Sequence, residues 1–231
     1  MKKILSLILA LTFALTLVGC GAGEDTADVK GEGVMTYAEY AAAALDTEVV
    51  IEAYVQAKQS WWDNKGTFYL QDKEGGYFVY EMPCTEEEYN KLTQGTKIKV
   101  TGYKAEWAGE VEIMDAKWEI LDGSYVATAV DVTDKLGTDE LVNYQNQLVT
   151  FKGMTVKGIE YKNGEPGDDI YVNLSYNGAA YSFCVEVYLT GPDTEVYQAV
   201  GALTAGQTVD VEGYLYWYEG PNTHITSVVV K

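Results

Sequence analysis

Short runs in which apolar and polar residues alternate dominate the chain from about residue 48 onwards. At residues 98–101 and again at 209–212 every second side chain is apolar, which is the pattern of a strand with one buried face. Little of the chain keeps the 3.6-residue period of an amphipathic helix, and its many Tyr, Val and Thr residues favour strands. The pattern therefore predicts a mainly β protein.

One twelve-residue segment occurs twice. Residues 92–103 read LTQGTKIKVTGY and residues 203–214 read LTAGQTVDVEGY, so half of the positions are identical without a gap. In each copy a turn glycine precedes the alternating run and a Gly-Tyr pair ends it. Alternating apolar positions near residues 49 and 149, and near 111 and 223, extend the match outward. The chain is therefore predicted to contain two copies of one structural unit.

Each copy shows the same predicted order of elements: three strands, a short helix and two more strands. In the first copy the strands are predicted at residues 48–58, 67–72, 77–82, 97–103 and 110–119, with the helix at 85–92. In the second copy they are predicted at 147–157, 169–175, 180–188, 207–216 and 223–230, with the helix at 193–200. Thr85 with Glu88 three residues later forms a capping box, which marks where the first helix begins.

This element order, with its glycine-rich fourth strand, resembles the OB-fold of the bacterial anticodon-binding-like OB superfamily. The resemblance implies two tandem five-stranded Greek-key barrels, each with one short helix. We place the first OB-like domain at residues 36–122, a linker with short helical pieces (132–136 and 138–144) at 123–146, and the second OB-like domain at 147–231. A tandem β-sandwich is the alternative that the pattern leaves open.

The first twenty residues have the pattern of a lipoprotein export signal. Lys2 and Lys3 precede an uncharged run at residues 4–18, which is shorter than the ~20 residues that a membrane-spanning helix needs. Leu17, Val18 and Gly19 before Cys20 resemble the bacterial lipobox. We therefore predict a signal peptide at 1–19, a lipid-anchored Cys20 and a flexible acidic tether at 20–35, which would hold the protein at the outer face of the bacterial cell membrane. An ordinary signal peptide, with Cys20 as a bystander, is the alternative.

Net charge shapes the prediction about partners. The formal charge is −19 at pH 7, and loss of Lys2 and Lys3 with a signal peptide would make it −21. Because an acidic surface repels polyanions, composition disfavours nucleic acid and favours an envelope protein or a glycan as the ligand. The second hypothesis is an OB-type nucleic-acid-binding protein or an accessory of an extracellular nuclease, with salt-sensitive binding centred on Trp61 and Trp62.

The residues that could carry catalysis are few. His224 is the only histidine, and we expect it to face solvent from the last strand. Cys84 and Cys184 fall in different copies and are predicted to be buried, unpaired thiols. The spacing of Cys and His does not suit zinc, so we predict no metal and no cofactor. The expected protein is a binding module and not an enzyme, although a hydrolase that uses paired carboxylates is left open.

Aromatic residues gather where OB-folds bind ligands, which is across strands two and three and at the loops between strands one and two and between four and five. The candidates in those loops are Trp61, Trp62, Trp107, Tyr161, Tyr216, Trp217 and Tyr218. The strand tyrosines that could add a stacking platform are Tyr69, Tyr77, Tyr171 and Tyr181. The alternative is that these rings close the barrel ends or pack the two domains together.

Overall fold

The computed structural model describes residues 30–231 and contains two β-barrels. The predicted signal peptide, Cys20 and most of the predicted tether lie outside the described residues. Within residues 30–231, no helix has both the length and the apolar composition needed to cross a bilayer.

The first barrel follows a short helix, α1 (Tyr37–Ala42). Its elements are β1 (Glu48–Lys58), β2 (Lys65–Gln71), β3 (Gly76–Pro83), α2 (Glu86–Lys91), β4 (Thr96–Trp107) and β5 (Glu110–Ser124). The strands close in the order β1-β2-β3-β5-β4, with β3 and β5 parallel and the other pairs antiparallel. This is the predicted OB-like Greek-key barrel, with its helix between the third and fourth strands.

Helix α1 was not predicted, although the sequence contains its signal. Thr36 and Glu39 form the same capping box as Thr85 and Glu88. At the other end the Lys104 ammonium donates to the carbonyls of three residues in or next to α1, at 2.8 to 3.0 Å, and so satisfies groups that a helix end leaves unpaired. Tyr40 of this helix is buried against Tyr77, with ring centroids 4.9 Å apart.

The second barrel repeats the arrangement. Its elements are β6 (Val130–Asp131), β7 (Leu148–Tyr161), β8 (Ile170–Tyr176), β9 (Ala179–Val185), α3 (Glu195–Gly201), β10 (Thr208–Tyr214) and β11 (His224–Val230). The strand β7 pairs with both β8 and β10, and β9 pairs with β11 in parallel, so the ring of the first barrel recurs. The short β6 adds to β7 in parallel. The predicted linker therefore also contributes a strand, besides short 3₁₀ turns at Thr133–Lys135 and Leu141–Tyr144.

The close approach of the neighbouring strand explains why the repeated Gly-Tyr pair begins with glycine. A side-chain Cβ at Gly102 would lie 2.6 Å from the Met114 carbonyl oxygen, and one at Gly213 would lie 2.2 Å from that of His224. The strand register shifts at both places. Glycine is therefore required because the neighbouring strand's backbone comes too close for any side chain.

The tyrosine of the pair has different surroundings in the two copies. Tyr103 is 46% exposed, whereas Tyr214 is 3% exposed. The ring of Tyr214 stacks on Tyr69 of the first barrel, with centroids 4.5 Å apart and planes 14° apart, and both rings lie beside the buried Phe78. We call Tyr69, Phe78 and Tyr214 the interdomain seam. The alternative interpretation of the aromatics, that they pack the two domains together, is correct for Tyr69.

Hydrogen bonds cross between the barrels beside the seam. The amide oxygen of Gln71 accepts from the Leu148 backbone N–H at 2.9 Å, and a carboxylate oxygen of Glu110 accepts from the Trp217 backbone N–H at 2.8 Å. Glu110 is fully buried, and this burial raises the pKa of its carboxyl well above the ordinary value. The two barrels thus share both an apolar and a polar interface.

The unequal burial of the repeated tyrosine predicts unequal effects of truncation. Tyr214→Ala should lower the free energy of unfolding by about 3–5 kcal/mol, because it leaves a cavity beside Tyr69 and Phe78. The matched variant Tyr103→Ala should change it by no more than about 0.5–1 kcal/mol. Urea denaturation followed by tryptophan fluorescence measures both values. Equal losses in the two variants would contradict the assignment of Tyr214 to the seam.

Candidate ligand-binding cleft

A cavity of about 1040 Å³ opens between the two barrels. Two smaller cavities, of about 540 Å³ beside Trp62 and about 350 Å³ beneath Trp107, share Tyr80 with it. We call the three together the cleft. It combines the outer face of β3 in the first barrel with β8 and β9 of the second, which are the strands that OB-folds use for binding.

Exposed aromatic rings concentrate in the cleft. Of the six exposed tryptophan and tyrosine side chains among the described residues, five line it and only Tyr103 lies elsewhere. The five are Trp62, Tyr80, Trp107, Tyr188 and Tyr218. Exposed aromatic area of this kind is costly in water and marks a binding surface when it is gathered in one place.

One rim of the cleft is built from the corresponding loops of both barrels. Trp107 ends β4, and Tyr218 lies between β10 and β11, so both belong to the loop between strands four and five of their own barrel. The loops are joined by a 2.8 Å hydrogen bond from the Glu219 backbone N–H to the Ala108 carbonyl. Across it the rings of Trp107 and Tyr218 lie 5.3 Å apart. This spacing gives the rim a pair of neighbouring aromatic faces.

His224 lies at the floor of the cleft, which corrects the expectation that it faces solvent. It is 6% exposed, its ring stacks on Tyr216 at 4.4 Å, and its Nδ1 lies 2.8 Å from the Tyr69 hydroxyl. Burial lowers the pKa of the imidazole from 6.5 to about 3, so the ring is neutral at physiological pH. The alternation pattern does not predict the burial of His224, because the first barrel covers this part of the second barrel's strand β11.

The charged side chains that line the main cavity are all carboxylates. Glu160, Asp169, Glu186 and Glu219 line it, and its lining contains neither Lys nor Arg. Glu186 accepts hydrogen bonds from the backbone N–H groups of Tyr188 and Leu189, and burial raises the pKa of its carboxyl to about 7. The cleft therefore suits flat ring systems with N–H groups and repels anionic ones.

The predicted site residues fall into three groups. Those that line the cleft are Trp62, Trp107, Tyr171, Tyr181, Tyr216 and Tyr218. Those that pack partly buried against a barrel core are Trp61, Tyr161 and Trp217. Tyr69 and Tyr77 are fully buried, so a ligand does not reach them and their assignment is corrected.

Two aromatic residues of the cleft are not among the predicted ones: strand register explains the first, and the early end of a strand explains the second. Tyr80 lies on the outer face of β3, whereas Tyr77, which was chosen, points into the barrel. Tyr188 is the last residue of a strand predicted at 180–188. The observed strand β9 ends at Val185, and the turn that follows leaves Tyr188 62% exposed. Trp61 was chosen for its loop position, yet its indole N–H donates to the Cys84 carbonyl at 3.0 Å beside the core.

The two described cysteines are buried thiols in separate barrels, as predicted. Burial raises the pKa of both, and so keeps them protonated. Among residues 30–231 no group of three or more His, Cys, Asp or Glu side chains is placed to hold a metal ion.

Comparison with protein families and with curated proteins finds no match. Several solved structures are similar over most of the chain. The p202 HIN1 domain in complex with 12-mer dsDNA has 11% identity and a TM-score of 0.37, covering 82% of this chain and 96% of that one. The tetrameric p202 HIN2 has 13% identity and a TM-score of 0.34, covering 81% and 96%. A deletion mutant of the single-stranded DNA binding protein from Thermus aquaticus has 14% identity and a TM-score of 0.25, covering 80% and 93%.

The strand order and the position of the helix in each barrel make the chain a tandem OB-fold protein. The comparisons do not support membership of the anticodon-binding-like OB superfamily. The interpretation that favoured a protein or glycan ligand and disfavoured nucleic acid is contradicted by these findings: of the similar proteins, one is described in complex with 12-mer dsDNA and another as a single-stranded DNA binding protein. That interpretation is withdrawn.

The buried, neutral imidazole predicts a loss of stability in acid. Because the folded-state pKa of His224 lies below its unfolded value, the unfolded chain binds an extra proton between pH 6.5 and about 3. As the pH is lowered across that window, the free energy of unfolding should decrease by up to about 1.4 kcal/mol per pH unit because of this group. His224→Gln should show a shallower slope in urea titrations at pH 6.5, 5.5 and 4.5. As a direct check, the single histidine should give the NMR signals of a neutral ring at pH 5. A titration of the imidazole with its midpoint near pH 6.5 would contradict its burial.

Proposed function

We propose that this chain is a non-enzymatic binding protein for single-stranded nucleic acid, whose unpaired bases stack on the aromatic rings of the cleft. The observation that carries the proposal is that five of the six exposed tryptophan and tyrosine side chains among the described residues line this one cleft. Stacking of a base on such a ring contributes about 1–3 kcal/mol and tolerates any base sequence.

The cleft offers stacking positions at its middle and at both ends. Trp62 and Tyr188 lie at one end, Tyr80 in the middle, and Trp107 with Tyr218 at the other. A volume of about 1040 Å³ in the main cavity is at the upper end of the range for small-ligand sites, which leaves room for more than one base. A duplex keeps its bases stacked on one another, so this surface favours unpaired strands.

The acidic lining determines which part of the strand enters. Four carboxylates line the main cavity, and the Lys162 ammonium pairs with one of them, Asp169, at 2.9 Å. Because acidic groups predominate, the phosphates are expected to stay at the open edge while the bases turn inward. The dependence of affinity on salt measures how many phosphates are neutralised by lysine and arginine. Binding to this cleft should therefore depend only weakly on salt, in contrast to the salt-sensitive binding expected from the sequence.

A fluorescence titration tests the proposal. A single-stranded decanucleotide of mixed sequence should quench the tryptophan fluorescence of the purified protein, with nearly equal dissociation constants at 50 and 200 mM salt. The double variant Trp107→Ala/Tyr218→Ala should bind at least about tenfold more weakly, as expected for the loss of one or more stacking contacts. Tyr103→Ala, which removes the one exposed tryptophan or tyrosine ring outside the cleft among residues 30–231, is the matched control and should bind as the wild type does. No quenching at either salt concentration would rule out the proposal.

We also propose that the protein is exported and anchored by lipid on Cys20, at the outer face of the bacterial cell membrane. The support is the lipobox-like run that ends at Cys20. Cys20→Ser should abolish incorporation of labelled palmitate and move the protein from the membrane fraction to the soluble fraction, because two or more acyl chains give stable anchoring and none gives no anchoring. Equal labelling of the wild type and Cys20→Ser would contradict this anchor.

A further inference from the structure

We infer that the floor of the cleft recognises guanine, through the Nε2–H of His224 and the oxygen acceptors around it. The inference rests on the proposed function and goes beyond it, because stacking alone does not distinguish one base from another. It depends on two unpartnered polar groups at the floor and on the acidic lining.

The position of the proton on His224 follows from its partner. The Tyr69 side chain is fully buried, and the His224 Nδ1, at 2.8 Å, is the one hydrogen-bond partner of its hydroxyl among residues 30–231. A buried hydroxyl donates wherever an acceptor is in reach, so Nδ1 accepts. The neutral ring then carries its proton on Nε2.

The Nε2–H is therefore a donor without a partner in the described part of the chain. His224 is 94% buried yet lines the main cavity. Its ring is fixed by the stack on Tyr216 and the bond to Tyr69, so this donor is held in place before any ligand arrives. A ligand acceptor at the floor would take the place of water on this donor.

An unpartnered acceptor lies two residues earlier on the chain. The amide oxygen of Asn222 is buried without a hydrogen-bond partner, and Asn222 also lines the main cavity. The carboxylates of Glu160 and Glu219 are further acceptors, whereas both oxygens of Asp169 and of Glu186 already accept hydrogen bonds within the protein. The cleft thus places one ring donor of fixed orientation beside carboxylate acceptors, among amide and hydroxyl groups that can both donate and accept.

Guanine is the base that complements this pattern best. Its pairing edge has one acceptor, O6, beside the N1–H and the N2 amino group, which together supply three N–H donors. Thymine and uracil have two carbonyl acceptors and a single N–H, so they offer the carboxylates of the cleft one donor where guanine offers three. A site with buried polar groups discriminates strongly against a ligand that leaves them unpaired.

Three pentanucleotides that differ at one position test the inference. They are a pentathymidylate, the same strand with guanine at its centre, and the same strand with hypoxanthine, which keeps O6 and N1–H but lacks the amino group. In tryptophan-fluorescence titrations the guanine strand should bind about tenfold more tightly than the pentathymidylate, with hypoxanthine between them. One guanine in thymine avoids self-association of guanine-rich strands.

Because the chain has a single histidine, NMR locates the proton on its ring without the need for a variant. In ¹⁵N NMR of the free protein, Nε2 should have the shift of a protonated nitrogen and Nδ1 that of an unprotonated one. Addition of the guanine strand should move the Nε2 signal, and the pentathymidylate should leave it in place. Tyr69→Phe, which removes only the hydroxyl that fixes the proton, should reduce the preference for guanine while the pentathymidylate still binds.

The possible outcomes separate this inference from the proposed function. Equal affinity for the three strands, with an unmoved Nε2 signal, would overturn guanine recognition and leave base stacking intact. A free protein with its proton on Nδ1 would also overturn it. Absence of binding by all three strands, together with absence of binding by the mixed decanucleotide, would reject the proposed function itself.

Discussion

The stack of Tyr69 on Tyr214 is the contact on which the rest of the molecule depends. It buries the outer face of one barrel against the other, and so fixes their separation and relative orientation. Without this stack, the two OB-like barrels would present two separate surfaces. With it, β3 of the first barrel faces β8 and β9 of the second across a cavity that neither barrel forms alone.

The same contact sets the chemistry of the cleft. Burial of Tyr69 brings its hydroxyl to His224, and the covering of His224 removes the water that would otherwise stabilise a charged imidazole. The ring that results is neutral, oriented and stacked on Tyr216. A residue that would be a surface histidine in an isolated barrel therefore becomes part of the cleft floor.

The sequence predicts the barrels far better than it predicts the cleft. The repeat and the alternation place β1 at its observed bounds and most other strands within a few residues, because each depends on local pattern. Burial of Tyr214 but not of its repeat partner Tyr103 depends on a neighbour more than a hundred residues away, as does burial of His224. Local alternation does not contain that information. It also does not reveal which of Tyr77 and Tyr80 faces outward on β3, because a strand reverses its faces wherever the register shifts.

Under the proposed function, net charge is a poor guide to the ligand, because it averages over parts of a ligand that need not enter the same place. A charge of −19 opposes the approach of phosphates, and the cleft's own carboxylates oppose their entry. Bases are uncharged, however, and their amino groups are donors that carboxylates accept well. A surface that is unfavourable for the backbone of a nucleic acid is thus compatible with its bases, provided that the rings that hold them are aromatic and the strand is single. The cleft supplies the aromatic rings, but it lacks the long-range attraction that basic proteins use to capture nucleic acids quickly.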